Sequence, residues 1–412
     1  MSKSTAPDDG ERASLNLVGF ITFVDMLGIG LILPVMPRLI GEVARVPIGR
    51  AAELGGYLLF AYAAMQFLFA PVVGGLSDRF GRRPVLLATL FALALDYAVM
   101  AWAPSYGWLF AGRLVSGVMG ATWAAANSCV ADCLRAEERG AAYGRLGGFG
   151  AAGFVLGPAL GGLAGGLGTR WPFIIAAALA LTGALVGLVK LRETLPPSRR
   201  RAFTLVRANP FGAMVQMARL PAVAALLGVA FFMQLAAQSQ FSIWSYWGAL
   251  AFGWTPVLAG LTITLFGVMI GLVQGVATGR ALVSFGAVRT ARWSLLFGVP
   301  SYLLLAGAGS TGTVLVAIML GAVTGMTFPA MQELMSARVA HDAQGELQGA
   351  VASTISLTAI VGPVLMTKTF AHYAPRGLPG APYLLACALL GLGIALLWWT
   401  LHSLVPLPAR DD

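Results

Sequence analysis

The sequence predicts an all-α membrane protein with twelve transmembrane helices in two six-helix bundles related by pseudo-two-fold symmetry. Three observations predict it. The first is composition: of 412 residues, 58% are hydrophobic and 11% charged, with a mean hydropathy of +0.79. A soluble domain carries about 25% charged and about 45–50% apolar residues, so this chain lacks the charge to cover a water-facing surface. The second is a series of long apolar runs separated by short polar breaks. The third is a match between the two halves at one constant offset.

A bilayer core needs about 20 apolar residues per helix. Runs of that kind cover 15–39, 52–76, 84–103, 107–132, 142–166 and 171–191 in the first half. In the second half they cover 221–250, 256–279, 292–308, 313–337, 347–371 and 381–403. They are continuous rather than alternating, which argues against barrel strands. Membrane helices tolerate the Gly and Pro inside them. Residues 1–14 are polar and precede a run longer than a signal-peptide core, so they read as a tail leading into an uncleaved span. The longest polar break, 192–220, holds Pro196, Pro197 and Arg199-Arg200-Arg201 and divides the spans six and six. The expected organisation is therefore a tail at 1–14, a bundle at 15–191, a linker at 192–220, a bundle at 221–403 and a tail at 404–412. With the N-terminus cytoplasmic, twenty Lys and Arg fall on that side and six on the other. That asymmetry sets the orientation and makes both tails and the linker cytoplasmic.

The halves match at an offset of 205 positions. Phe80-Gly81 recurs as Phe285-Gly286, Gly140 and Gly144 as Gly345 and Gly349, and Gly157-Pro158 as Gly362-Pro363; Glu137 falls on Asp342. The offset carries span two onto eight, four onto ten and five onto eleven. Parallel repeats of this kind are a transporter plan in which the substrate site lies near the bilayer midplane.

Composition also excludes function classes. The net charge is +10, but the basic residues sit in clusters between apolar runs and form no stripe, so no nucleic-acid partner is expected. Cys129, Cys133 and Cys387 are too few and too apolar in context for a disulfide framework or a zinc site. His341, His372 and His402 lie near span ends or in connections, and no nucleophile–base set is visible, so an enzyme is not expected. No GxxxxGK[ST] occurs, and ATP-driven transport has no support.

After span two comes Gly74-Gly75-Leu76-Ser77-Asp78-Arg79-Phe80-Gly81-Arg82-Arg83-Pro84. The glycines permit a tight turn and close helix approach, Asp78 can accept from a cation or a helix N-terminus, and Arg79, Arg82 and Arg83 anchor the loop. This stretch resembles the signature loop of the major facilitator superfamily. Arg113, Gly117 and Gly120 in span four resemble its arginine-bearing motif. Gly153-Phe154-Val155-Leu156-Gly157-Pro158 with Gly161-Gly162 resembles the fifth-helix motif of its drug/proton antiporters. Asp25 to Pro37 in span one, Asp96-Tyr97-Ala98-Val99-Met100-Ala101 in span three and Gln344 to Gly349 narrow the resemblance to the tetracycline/proton antiporters. The resemblance implies the major facilitator fold in a bacterial inner membrane, an exporter of tetracycline-like compounds, and transport roles for Asp25 and Asp96. It further implies a gate in which Asp132 joins Asp78 and the arginine loop. It implies no cofactor beyond the proton gradient, with a substrate that arrives as a Mg²⁺ chelate as one option. A monomer in the lipid bilayer is expected, with protons and an amphipathic small molecule as partners.

The residues carry their own argument. Asp25 lies about ten residues into span one, ~15 Å deep by helical rise. A charge there costs at least ~2.5–3.5 kcal/mol, so it should face a cavity, pair with a cation or carry a proton; a structural hydrogen-bonding acid is the plainer alternative. Asp96 and Arg113 lie at equal depth, ~10–12 Å below the outer surface, on antiparallel neighbours. They are expected to pair, either as a static bridge or with Arg113 competing against a proton for Asp96. Gly157 and Pro158 read as packing and bending positions first and as coupling elements second. Gln234, Gln238, Gln240, Trp244 and Trp247 in span seven suit an amphipathic ligand, as do Tyr62, Gln66 and Gln274 in spans two and eight. Interhelical hydrogen bonding and interfacial anchoring are the plainer alternatives. The tetracycline pumps carry a histidine in span eight and an acid in span nine; here the aligned positions are Ile270 and Gly298. Titratable groups thus concentrate in the first half, with Glu333 the one acid in a second-half span. A symporter importing a small solute and a non-transporting receptor or scaffold on the same fold are the competing functions.

Overall fold

The computed structural model describes residues 9–120, 122–201, 215, 217–340 and 343–403. Most of the expected tails, the central part of the linker, His341 and the repeat position Asp342 lie outside the described residues. Among the described residues the chain is helical, with no strand. The first half comprises α1 (Asp9–Ile32), α2 (Met36–Ala44), α3 (Ile48–Phe80), α4 (Arg82–Trp102), α5 (Tyr106–Met119), α6 (Thr122–Cys133), α7 (Ala136–Leu167) and α8 (Trp171–Lys190). The second half comprises α9 (Pro221–Phe252), α10 (Pro256–Leu272), α11 (Thr278–Ala306), α12 (Thr311–Ala322), α13 (Thr327–Ser336), α14 (Gln344–Tyr373) and α15 (Ala381–Ser403). The protein is a multi-pass membrane protein.

Several expected spans are interrupted. Span one stops at Ile32 rather than at residue 39. Pro34 disfavours helix at the residue before it, so the chain turns at Leu33–Val35 and restarts as α2 with Pro37 in its first turn. Span four breaks at Gly120 into α5 and α6, and span ten breaks at a 3₁₀ turn, Val323–Met326, into α12 and α13. Spans eight and nine are not separated by a polar loop. They run as one helical stretch, Pro256–Ala306, through a π turn at Val273–Ala277 and a kink at Gly286. Taken across the breaks in spans four and ten, eleven described helical stretches are long and apolar enough to cross a membrane, one of them holding two of the twelve expected spans.

That kink is the second copy of a feature in the first half. Gly81 has φ +108 and ψ 164, and Gly286 has φ +74 and ψ 163. Both lie where an L side chain is strained, so the repeated Phe-Gly marks a repeated backbone turn.

Contacts divide the chain into two compact units. Unit 1 is Met1–Val46, Ala61–Asn209 and Thr255–Thr264; unit 2 is Pro47–Phe60, Pro210–Trp254 and Leu265–Asp412. In unit 1, α1 packs on α7 and α8, and α4 packs on α5 and α8. Val18, Ile21, Leu86, Leu90, Ala126 and Ala184 fill one end of it. In unit 2, α9 packs on α14 and α15, and α11 on α12 and α15, around Leu226, Val229, Ala291, Met331, Leu347 and Leu397. Lipid is as apolar as these side chains, so close backbone approach has to supply the packing. The α1–α7 crossing shows it: a Cβ on Gly157 would lie 2.7 Å from both the Gly30 Cα and the Leu27 carbonyl oxygen.

Candidate functional site

Unit 1 buries two acids. Asp25 on α1 is 8% exposed and accepts a hydrogen bond from Thr122. Thr122 is the first residue of α6, directly after the break in span four. The break thus brings a helix N-terminus, the positive end of its dipole, to a mid-span carboxylate. Two phenols lie within electrostatic reach of Asp25, those of Tyr62 on α3 and Tyr97 on α4. Tyr97 turns its hydroxyl against Gly28, where a Cβ would sit 2.5 Å from the oxygen.

The second acid, Asp96 on α4, forms an ion pair with Arg113 on α5. Both are buried, at 2% and 7% exposure. Gly112 makes room: a Cβ there would lie 2.7 Å from Asp96 Oδ1. The Arg113 guanidinium also lies 5.4 Å from the centre of the Tyr62 ring. Tyr62 is therefore within reach of both Arg113 and Asp25. Gln66, one turn along α3, donates to the Gly120 carbonyl at 2.5 Å and to the Tyr62 hydroxyl at 3.4 Å. It holds the free carbonyl at the span-four break, as a broken membrane helix requires.

The signature loop closes a separate network. Arg82 meets Asp78 at 2.6 Å, Asp132 at 2.8 Å and the Ser77 hydroxyl at 3.2 Å. This joins α3, α4 and the end of α6. Arg83 donates to the Leu188 carbonyl at 2.7 Å, tying α4 to α8. Arg79 is exposed and stands outside the network, its guanidinium 5.2 Å from the Phe80 ring centre. One member was not predicted. Glu193, just past α8, accepts from the backbone N–H of Arg82 at 2.8 Å and of Arg83 at 3.3 Å. It caps the start of α4, where four N–H groups lack helical partners. Arg201 N–H adds a 3.1 Å bond to the Asp78 carbonyl. Gly157 and Pro158 lie at the α1–α7 crossing, and the Pro158 carbonyl packs against Gly260 of α10 within the same unit.

Unit 2 contains a cavity of about 230 Å³ between α9, α10, α11 and the span-ten break. Gln234, Gln240 and Gln274 line it, as do Ile270 and Gly298. Gln274 donates to the Gly325 carbonyl at 3.2 Å, doing at the span-ten break what Gln66 does at the span-four break. Gly120 and Gly325 are themselves related by the 205-position offset, and so are Thr122 and Thr327. Gln238 does not face the cavity; its aliphatic stem packs against Gly362. Trp244 also lies elsewhere, in an aromatic cluster with Trp247 at 5.7 Å and Trp254 at 5.9 Å between ring centres.

A sequence model of the Major Facilitator Superfamily matches residues 18–363 of this arrangement. The chain belongs to the major facilitator superfamily. It is a transporter and not an enzyme. This major facilitator chain is 38% identical to the class C tetracycline resistance protein of Escherichia coli over 88% of its own length and 91% of the relative's. It is 38% identical to the class G protein of Vibrio anguillarum over 88% and 92%, and 27% identical to multidrug resistance protein 2 of Bacillus subtilis over 91% and 92%. Among solved structures, a bacterial homologue of the human lysosomal transporter Spinster, inward-facing and occupied, matches with a TM-score of 0.78. The match covers 96% of this chain and 98% of that one at 15% identity, a likeness of fold alone.

Within the superfamily frame, the acids and the arginine loop were visible as charges in apolar or glycine-rich surroundings. Thr122 and Glu193 carry no sequence signal, and Tyr97 enters only as part of the Asp96–Ala101 motif, with no role of its own. Thr122 lies inside a continuous apolar run, where a threonine has no distinctive pattern, and Tyr97 stands out only as the neighbour of Asp96. Glu193 sits in a charged break, where an acid has no distinctive pattern.

Proposed function

We propose that the protein is a proton-coupled secondary exporter, a drug/H⁺ antiporter of the bacterial inner membrane with both termini cytoplasmic. It moves amphipathic small molecules by alternating access. Tetracycline-like compounds are the first candidates, because relatives at 34–38% identity carry that name. The single observation that carries the reading is the buried acid system of unit 1. A carboxylate at membrane depth needs a proton or a partner. Asp25 has a hydroxyl partner that can serve its charged or its neutral form, donating to the first and accepting from the second. Asp96 is held by Arg113, which competes with a proton for the same oxygens. In this mechanism, protonation at Asp25 and release of Asp96 from Arg113 alternate with substrate occupancy. The Asp78–Arg82–Asp132 network, capped by Glu193, latches α3, α4 and α6 in one state of the cycle.

The test is drug accumulation in bacteria stripped of their own efflux pumps. Cells producing this protein should hold several-fold less tetracycline, or less of another amphipathic drug, than cells producing Asp25→Asn. A protonophore should erase the difference. Equal accumulation of every compound, with protein present in the membrane, would contradict the reading.

A further inference from the structure

Building on the exporter reading, we propose that the unit 2 cavity binds a neutral aromatic ligand carrying amide, carbonyl or hydroxyl groups, without a metal ion. Every polar group on its wall is uncharged. The amides are Gln234, Gln240 and Gln274; the hydroxyls are Ser301, Tyr302, Thr324 and Thr327. The remaining wall is apolar, with Phe241, Phe266 and Phe328 presenting rings that suit a planar body.

The hydroxyls are largely engaged within the protein. Ser301 donates to the Ala317 carbonyl at 2.8 Å, Thr324 to Gly321 at 2.6 Å, and Thr327 shares a 2.8 Å bond with Ser294. Gln274 is committed to Gly325. Gln234 and Gln240 have no hydrogen-bond partner among the described residues, and both lie half-buried on the cavity face of α9. Two amides left open at one wall are the groups a ligand would satisfy, each offering a donor and an acceptor.

The cavity is also shaped against an acid. A Cβ on Gly298 would lie 2.5 Å from Leu390 Cδ2 and 3.2 Å from Thr324 Cγ2, so an acid there would have to displace the Leu390 side chain. At Ile270 the wall is aliphatic. A hard divalent ion is held through carboxylate oxygens, ligand oxygens and water; an amide-and-aromatic wall matches an uncomplexed neutral ligand instead.

The experiment is equilibrium binding of radiolabelled chloramphenicol, a neutral aromatic with an amide and two hydroxyls, to the full-length protein in lipid nanodiscs. Saturable binding is expected, equal in Mg²⁺ and in EDTA. Gln234→Ala and Gln240→Ala should each raise Kd about fivefold, the equivalent of one net hydrogen bond. Gln348→Ala, whose side chain pairs with Gln332 away from the cavity, should bind as wild type. Binding that requires Mg²⁺, binding indifferent to both cavity glutamines, or no saturable binding by monodisperse protein of wild-type melting temperature would each overturn the assignment. No proton gradient is present, so failure of the export reading would leave this binding intact. A Mg²⁺-dependent tetracycline complex in the same nanodiscs would overturn the neutral-ligand assignment and leave the export reading standing.

Discussion

Asp96 and Arg113 show how much a single pair can constrain a membrane bundle. Each is buried, so neither has water to fall back on when the other is removed. Leaving one buried charge without its partner costs about 3–5 kcal/mol, whereas replacing both with neutral groups is often tolerated. Asp96→Asn and Arg113→Gln should therefore each lower the melting temperature of the purified protein markedly. The double variant should recover most of the loss, while transport stays abolished in all three. Additive losses would mean that the two side chains do not depend on one another. Asp25 differs in kind: its partner is the Thr122 hydroxyl, so Asp25→Asn keeps a hydrogen bond and should fold normally.

The broken elements carry the site. Spans four and ten part at Gly120 and at Val323–Met326, and a glutamine from span two or span eight reaches each break, Gln66 at 2.5 Å and Gln274 at 3.2 Å. Irregular backbone at membrane depth is tolerated where protein or a cavity surrounds it, and both breaks sit beside the groups assigned to function. At the other end of α4, Glu193 supplies what the positive-φ turn at Gly81 leaves open, two bonds to the first N–H groups of the helix. Glu193→Ala should cost about 1–2 kcal/mol, read as a lower melting temperature and as faster proteolysis near Arg199–Arg201. Glu193→Gln keeps one acceptor oxygen and should lose less; equal loss in both variants would show that charge, not capping, is the contribution. The apolar runs made most of these helices legible in the sequence. The interruptions were not, because a break at Gly120 or a continuous helix through Gly286 depends on neighbours rather than on local composition. The same limit applies to the glutamines of α9: Gln234, Gln238 and Gln240 look alike in sequence, and only helix rotation separates the two that face the cavity from the one packed on Gly362.

Across the whole molecule, duplication preserved geometry and divided chemistry. Gly81 and Gly286 keep the same turn, and Thr122 and Thr327 both open the half-helix after a break. Yet Asp25, Asp96, Arg113 and Arg82 correspond at the 205-position offset to Ala230, Ser301, Ile318 and Ala287. Among the described residues the four charged side chains at 8% exposure or less, Asp25, Arg82, Asp96 and Arg113, lie in unit 1, and the cavity with the uncharged wall lies in unit 2. That division was readable in part from the sequence, through Ile270 and Gly298, and both residues line the cavity. The claim that proton coupling resides in unit 1 is tested most directly in everted vesicles. Respiration acidifies the lumen, a pH-quenched dye reports it, and a panel of amphipathic drugs is added, tetracycline first. Dye recovery on addition of a transported drug, absent in Asp25→Asn of equal abundance, is the predicted result. Recovery that survives Asp25→Asn undiminished would contradict it.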